Sequence, residues 1–159
     1  MGNMENMGGQ DAYNVRHLID GFDWVGLGDG TVVDVGGSMG HVSLAISKRA
    51  PGLNFVVQDL ENVVRDVVER TEGKEGYERL KFQANDFFGE QPVREADVYL
   101  LRFICHDYSD KYAAKILQGL VPAMGAKSRI LLFDGVMPAP GSVSKFEERK
   151  ARYVPLSHE

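Results

Sequence analysis

The chain has 159 residues, a length that suits one domain with its own hydrophobic core, and its composition is that of a globular protein. A net charge of -5 argues against nucleic-acid binding, because phosphate contacts need a basic face. No apolar run reaches the roughly 18 residues of a membrane span. The single cysteine, Cys105, excludes an internal disulfide and favours a cytoplasmic location. Four scattered histidines show no metal-ligand spacing, so we expect no metal site.

Helical and strand patterns alternate along the chain. Residues 1–22 predict a polar lead-in with a short helix at 12–22, and residues 23–159 predict the main domain. β-Branched or apolar runs predict strands at residues 31–35, 54–58, 80–84, 97–104 and 129–133. Amphipathic runs predict helices at residues 42–49, 61–70 and 110–120, the last capped by Ser109. This order predicts a doubly wound, mostly parallel α/β sheet of the Rossmann-like type, with its ligand beyond the carboxyl ends of the strands.

A glycine-rich turn, DVGGSMG, follows the first predicted strand at residues 34–40. Glycine lets the backbone approach a ligand and adopt positive φ, and the next helix offers free N–H groups to an anion. A dinucleotide fingerprint would need glycine where Ser38 and His41 stand, and the observed spacing suits an S-adenosylmethionine (SAM) turn better. A plain tight turn is the alternative. The candidate cofactor-binding residues of the turn are Asp34, Gly36 and Gly37.

Acidic residues also follow the second and third predicted strands. Asp59 comes about 20 residues after the turn, where an acid hydrogen-bonds a ribose diol. Its alternative role is the N-cap of the next helix, and the two roles could coexist. Asp86 could meet an adenine amino group, with Phe87 or Phe88 against the ring. The alternative for these three residues is a turn acid followed by core aromatics.

The segment RFICHDYSD at residues 102–110 carries the candidate catalytic residue, His106. A histidine between a buried strand and a helix lies at the ligand edge of the sheet, and histidine can accept a proton near neutral pH. Methyl transfer to oxygen needs such a base, because the acceptor must lose its proton. Asp134, which ends the fifth strand, could orient His106 and stabilise its charged form. A structural histidine is the alternative, and Asp107 is expected to be a turn or capping acid.

Taken together, these residues resemble the plant and fungal class of SAM-dependent O-methyltransferases, which includes caffeate and flavonoid O-methyltransferases. The resemblance is strongest to fungal secondary-metabolism members. Five motifs carry it, at residues 32–41, 55–60, 85–88, 102–110 and 132–138. It implies a class I SAM methyltransferase domain that moves a methyl group from SAM to a hydroxyl of a small phenolic or polyketide-like metabolite, without a metal.

The resemblance also implies roles for individual residues. In the family, the first turn holds the methionine part of SAM, the acid after the second strand holds the ribose, and the pair after the third strand holds the adenine. A basic residue four positions before the histidine also contacts the cofactor, and many members have Lys there. These contacts fall here on Gly36, Asp59, Asp86, Phe87 and Arg102. The general base falls on His106, flanked by Asp134.

Parts of the family pattern are absent from this sequence. Members have a long helical N-terminal domain that forms the dimer, and only a remnant precedes Asp23, so we expect most dimer contacts to be missing. Members also continue with a helix bearing another catalytic acid and with an antiparallel pair of strands. Residues 146–152 could begin that helix, while Glu147 and Glu148 fit a solvated charge run equally well. We therefore expect a domain that lacks the last antiparallel strands.

Two alternatives to an active O-methyltransferase stay open on these grounds. One is a truncated, non-catalytic SAM-binding domain, and the other is a nucleotide-dependent oxidoreductase on a similar sheet. The failed dinucleotide spacing and the segment around His106 argue against the oxidoreductase. The acceptor, the position that is methylated and the oligomeric state do not follow from the sequence.

Overall fold

The computed structural model describes residues 14–152, and residues 150–152 by their backbone alone. Predictions that fall on residues 1–13 and 153–159 lie outside the described part of the chain. The helices are α1 Val15–Asp20, α2 His41–Arg49, α3 Glu61–Thr71, α4 Asp110–Leu120 and α5 Lys145–Arg152. The strands are β1 Thr31–Val35, β2 Asn54–Asp59, β3 Leu80–Ala84, β4 Val98–Arg102 and β5 Arg129–Phe133. All five predicted strands are therefore confirmed.

The helix ends follow local capping signals, with small departures from the prediction. Helix α1 begins after its N-cap Asn14, whose side chain accepts a hydrogen bond from the backbone of Arg16, and it ends two residues before the predicted limit at residue 22, while residues 12 and 13 lie outside the described part of the chain. Ser109 is the N-cap of α4, as predicted, but its side chain makes no capping hydrogen bond. Helix α5 confirms that a helix begins near residue 146.

Strand β4 ends two residues before its predicted limit at Ile104. Phe103 takes a φ of 56°, in the left-handed region that β-strands do not use, and Ile104 is in the right-handed helical region. The chain then turns out of the sheet into a single 3₁₀ turn at Cys105–Asp107. This turn carries His106 to the carboxyl edge of the sheet.

The strands form one parallel sheet in the order β3-β2-β1-β4-β5. The order reverses between β1 and β4, which is the switch point where doubly wound sheets bind ligands. Asp34 on β1 is aligned with Val57 on β2 and with Leu100 on β4. Because side chains alternate between faces, Asp59 and Arg102, two residues further along each strand, share the face of Asp34. Three candidate cofactor residues thus lie on one face at one edge.

Hydrophobic cores cover both faces of the sheet. Helices α1 and α2 pack on one face, where Trp24 and Ile46 are buried. Helix α4 and the segment at 85–97 pack on the other, where Tyr99 and Ile116 are buried. The central strands β1 and β4 are therefore enclosed on both sides, and a ligand can reach them only at their ends. Among the described residues, no helix is long and apolar enough to cross a membrane.

Candidate functional site

The glycine turn lies at the switch point and is too crowded for side chains. Gly36 and Gly40 have φ of 70° and 72°, values that favour glycine. A Cβ atom on Gly36 would lie 2.6 Å from Ile104 Cδ1 and 3.5 Å from Phe87 Cε1. The turn after β1 therefore touches the segments that follow both β3 and β4. The three segments meet at the carboxyl edge of the sheet, where doubly wound sheets bind ligands, and we call this meeting point the crevice.

Asp34 lies beneath this turn and is only 2% exposed. Ser43 Oγ donates a hydrogen bond to its Oδ2 at 2.7 Å. Burial raises the pKa of Asp34 from 3.8 to about 6, against the opposing effects of the Ser43 hydrogen bond and the attraction of Arg102. A Cβ atom on Gly37 would lie 2.6 Å from Asp34 Cγ, so the carboxyl group and the turn are in direct contact. The structure thus places Asp34 where it supports the backbone of the turn.

Asp59 fastens the end of β2 to the same turn. Its Oδ2 accepts a hydrogen bond from Ser38 N at 3.0 Å, and its Oδ1 accepts one from Leu60 N at 2.8 Å. The alternative role of Asp59 as a helix N-cap is wrong, because Leu60 is the N-cap of α3. The carboxylate is instead held at the rim of the crevice.

Asp86 and Phe87 lie on the segment that follows β3. Asp86 Oδ1 accepts a hydrogen bond from Phe88 N at 2.9 Å, which is the turn role that the sequence left open. The ring centroid of Tyr108 lies 5.9 Å from that of Phe87 and 5.3 Å from that of Phe88. Tyr108 therefore joins the segments that follow β3 and β4. No role for Tyr108 was predicted from the sequence, although the residue falls within the motif at 102–110.

Arg102, at the end of β4, carries a polar atom without a partner. Its Nε is buried and makes no hydrogen bond within the described part of the chain. Its Cζ lies 4.2 Å from the centroid of the Phe103 ring. Burial lowers the pKa of Arg102, while the attraction of Asp34 raises it. A buried cationic donor without an acceptor is costly, so this atom fits a place where a polar or anionic ligand group binds.

The structure brings the two predicted catalytic residues, His106 and Asp134, into contact. His106 N donates a hydrogen bond to Asp134 Oδ2 at 3.2 Å, and His106 Nδ1 pairs with Asp134 Oδ1. Because a carboxylate only accepts, the contact with Asp134 fits a ring with its proton on Nδ1, and in the neutral ring with that proton Nε2 has a lone pair. Nε2 lies 3.3 Å from Asp107 Oδ1, and the His106 side chain is 24% exposed. This arrangement can accept a proton from a bound molecule at Nε2.

No group of three or more His, Cys, Asp or Glu side chains is arranged to hold a metal ion within the part of the chain that the structure describes. Metal-free chemistry remains a prediction.

A family model for O-methyltransferase domains matches residues 3–154. The O-methyltransferase bfoD of Aspergillus brasiliensis is 48% identical over 144 residues, which cover 88% of this chain and 34% of the relative. The grayanic acid biosynthesis cluster O-methyltransferase of Cladonia grayi is 44% identical over 156 residues, which cover 98% of this chain and 34% of the relative. The chain therefore spans about a third of the length of these curated relatives.

Solved structures share the fold. The mitomycin 7-O-methyltransferase MmcR is 27% identical with a TM-score of 0.73, and the match covers 91% of this chain and 42% of that one. LepI in complex with SAM is 30% identical with a TM-score of 0.62, and the match covers 87% of this chain and 35% of that one. Another solved structure has the same identity, TM-score and coverages and is described as a pericyclic reaction enzyme. Structural neighbours thus include a SAM complex, but they are not all named for methyl transfer.

Proposed function

Because the chain belongs to the family of O-methyltransferase domains, we propose that it moves a methyl group from SAM to a hydroxyl of a small phenolic or polyketide-like metabolite. The contact between His106 and Asp134 carries this proposal, because it provides a proton acceptor beside the cofactor crevice. SAM, when bound, supplies a methyl group on a positively charged sulfur that an oxygen nucleophile can displace. The protein then has to orient the acceptor and remove its proton.

The residues around the crevice fit SAM. A Cβ atom on Gly36 would clash with Ile104 Cδ1, so glycine keeps the backbone of the turn open to close approach by the methionine part of the molecule. The unpaired Nε of Arg102 fits a polar cofactor group on the same face. We assign the remaining cofactor contacts to Asp34 and Gly37 through the shape of the turn, to Asp59 for the ribose, and to Asp86 and Phe87 for the adenine.

His106 acts as the general base through Nε2. The proton of the acceptor hydroxyl moves to Nε2, and the oxygen that it leaves becomes the nucleophile. Asp134 keeps Nδ1 facing away from the acceptor and stabilises the positive charge that the ring gains. A second carboxylate, Asp107, lies 3.3 Å from Nε2. A positioned base of this kind contributes about 100-fold to 10,000-fold to a rate.

The second candidate is a SAM-binding domain that performs no methyl transfer. The observation that favours it is the coverage of only 34% of each relative, since activity in the relatives belongs to much longer chains. We also propose that residues 1–22 form a lead-in to a SAM-binding domain at residues 23–159 and that the protein is cytoplasmic. We propose further that it binds no nucleic acid, membrane or metal.

Incubation with methyl-labelled SAM and a panel of phenolic and polyketide-like acceptors tests the proposal. We expect label in at least one acceptor by mass spectrometry, at a rate that a metal chelator leaves unchanged. Calorimetry with SAM and with NAD runs in parallel. SAM binding without any labelled acceptor would establish the non-catalytic candidate. Tight NAD binding without SAM binding would contradict both candidates.

A further inference from the structure

Amide side chains form a buried cluster beneath the crevice, at the carboxyl ends of β2 and β3. Gln58 and Gln91 are its centre and are only 1% and 5% exposed. Each donates its Nε2 to the Oε1 of the other at 2.8 Å, so the two amides form a reciprocal pair. Gln58 Nε2 also donates to Gln83 Oε1 at 2.9 Å. None of these residues was assigned a role from the sequence.

The amide pair also makes hydrogen bonds to its surroundings. Gln91 Oε1 accepts a further hydrogen bond from Val93 N at 3.0 Å, and Asn85 Nδ2 donates to Gln58 Oε1 at 3.4 Å. Two apolar side chains of similar shape could fill the same buried space at little cost in stability. A network of mutual hydrogen bonds instead holds its members in one geometry. The cluster is therefore better explained by what it positions than by the stability it adds.

Gln58 stands where the segments around the crevice meet. Its backbone oxygen accepts a hydrogen bond from Gly37 N at 3.0 Å, and the next residue is Asp59. The backbone oxygen of Asp59 in turn accepts one from Asn85 N at 2.9 Å. Gln91 lies on the segment at 85–97, which carries Asp86 and contains no helix or strand. The position of that segment is thus set by its side-chain and loop contacts.

We propose that the Gln58–Gln91 pair positions the adenine-binding segment relative to the ribose-binding acid Asp59. Both glutamines are positioning residues, since they act through Asp86 and Asp59 without touching the cofactor. This inference rests on the proposed function, because it assumes that SAM binds in the crevice. It adds that selectivity for the adenine base depends on a buried amide pair outside the crevice.

The test replaces both glutamines with methionine, a side chain of similar length. Gln58→Met and Gln91→Met together remove both members of the pair, while Val93 N, Gln83 and Asn85 each lose one hydrogen bond, so we expect a folded variant with a lower thermal unfolding temperature than the wild type. The probes are S-adenosylhomocysteine and its counterpart with hypoxanthine in place of adenine, measured by calorimetry. We expect the double variant to bind S-adenosylhomocysteine about tenfold more weakly, the effect of one lost hydrogen bond. Its preference for adenine over hypoxanthine should largely disappear.

Gln118→Met, at an exposed position on α4, is the matched control and should leave both affinities unchanged. A folded double variant with wild-type affinity and wild-type preference would overturn the inference. If the double variant does not fold, Gln83→Met decides, because it removes a single bond at a half-buried position. An unchanged adenine preference in Gln83→Met would then overturn the inference. Failure of the wild type to bind S-adenosylhomocysteine would instead overturn the proposed function, and this inference with it.

Discussion

The glycine turn after β1 and the His106 segment after β4 meet at one crevice, but they are held in different ways. The turn is fixed by its backbone, because Gly37 N donates to Gln58 O and a Cβ atom on Gly37 would strike Asp34. The other segment is fixed by a side chain, since Asp134 contacts both the backbone and the ring of His106. The glycine positions of the turn should therefore tolerate no added side-chain atom. The position of the His106 ring should depend on the carboxylate of Asp134. In this account, the turn governs cofactor binding and the histidine segment governs chemistry.

Gly37→Ala should disrupt the turn, and we expect it to reduce ligand affinity more than any other substitution considered below. The new Cβ would lie 2.6 Å from Asp34 Cγ and 2.8 Å from Val57 Cγ1, both on central strands that cannot move far. We expect S-adenosylhomocysteine affinity to fall by more than about 1,000-fold, with about 1–3 kcal/mol lost from the free energy of unfolding through overpacking. Calorimetry and urea unfolding measure the two effects.

Gly73→Ala is the control for that substitution. Gly73 has a φ of 71° but open space around the position of a Cβ atom, so it suffers backbone strain without a clash. We expect lower stability and unchanged ligand affinity. Equal loss of affinity in both variants would show that the turn is sensitive to general destabilisation and not to its own shape.

Asp134→Asn should break the histidine segment while leaving the turn intact. The substitution keeps the size of the side chain but removes the charge that stabilises protonated His106. We expect the rate of methyl transfer to fall about 100-fold to 1,000-fold, within the range for a disabled general base, with S-adenosylhomocysteine affinity unchanged. Asp107→Asn, at the more exposed carboxylate, should lower the rate much less. A parallel loss of binding in Asp134→Asn would contradict the division of roles.

Asp34 makes the stability of the turn region depend on pH. Its pKa is about 6 in the folded protein and 3.8 without burial, so the folded form keeps a proton that the unfolded form loses between these values. Stability from this group therefore falls as the pH rises through that window, by up to about 3 kcal/mol in total. Asp34→Asn cannot titrate, so its stability relative to the wild type should increase across the window in urea unfolding.

Ser43→Ala sharpens this prediction. It removes the hydrogen bond that lowers the pKa of Asp34, so the fall in stability should extend to higher pH. A stability difference between Asp34→Asn and the wild type that stays constant with pH would contradict the account of this carboxyl group.

Tyr108 links the His106 segment to the segment that follows β3. We expect its replacement to change ligand affinity and transfer rate less than the substitutions above. Its ring meets Phe87 and Phe88 edge-on, and such aromatic pairs contribute about 0.5–1.5 kcal/mol beyond their buried area. Tyr108→Leu should therefore weaken S-adenosylhomocysteine binding and slow methyl transfer by about fivefold each. Tyr108→Phe, which keeps the ring, is the control. An effect on only one of the two measurements would show that Tyr108 does not couple the segments.

The strands and the meeting of His106 with Asp134 could be predicted because they depend on local pattern and on one topological rule. Apolar runs mark the strands, and parallel strands bring their carboxyl ends to one edge. The end of β4 could not be predicted, because the positive φ of Phe103 is set by tertiary packing and not by a glycine. The pairing of Gln58 with Gln91 could not be predicted from the sequence either, since it joins residues 33 positions apart. Its available signal was a glutamine directly after the apolar residues 55–57 of β2.

A single-turnover experiment on His106→Ala tests the central claim most directly. Label transfer from SAM to an accepted hydroxyl is followed in the wild type and the variant, with S-adenosylhomocysteine affinity measured on the same samples. The account predicts a loss of at least about 100-fold in the transfer rate with unchanged affinity, because the base is removed and the turn is intact. An unchanged transfer rate in His106→Ala would contradict the account.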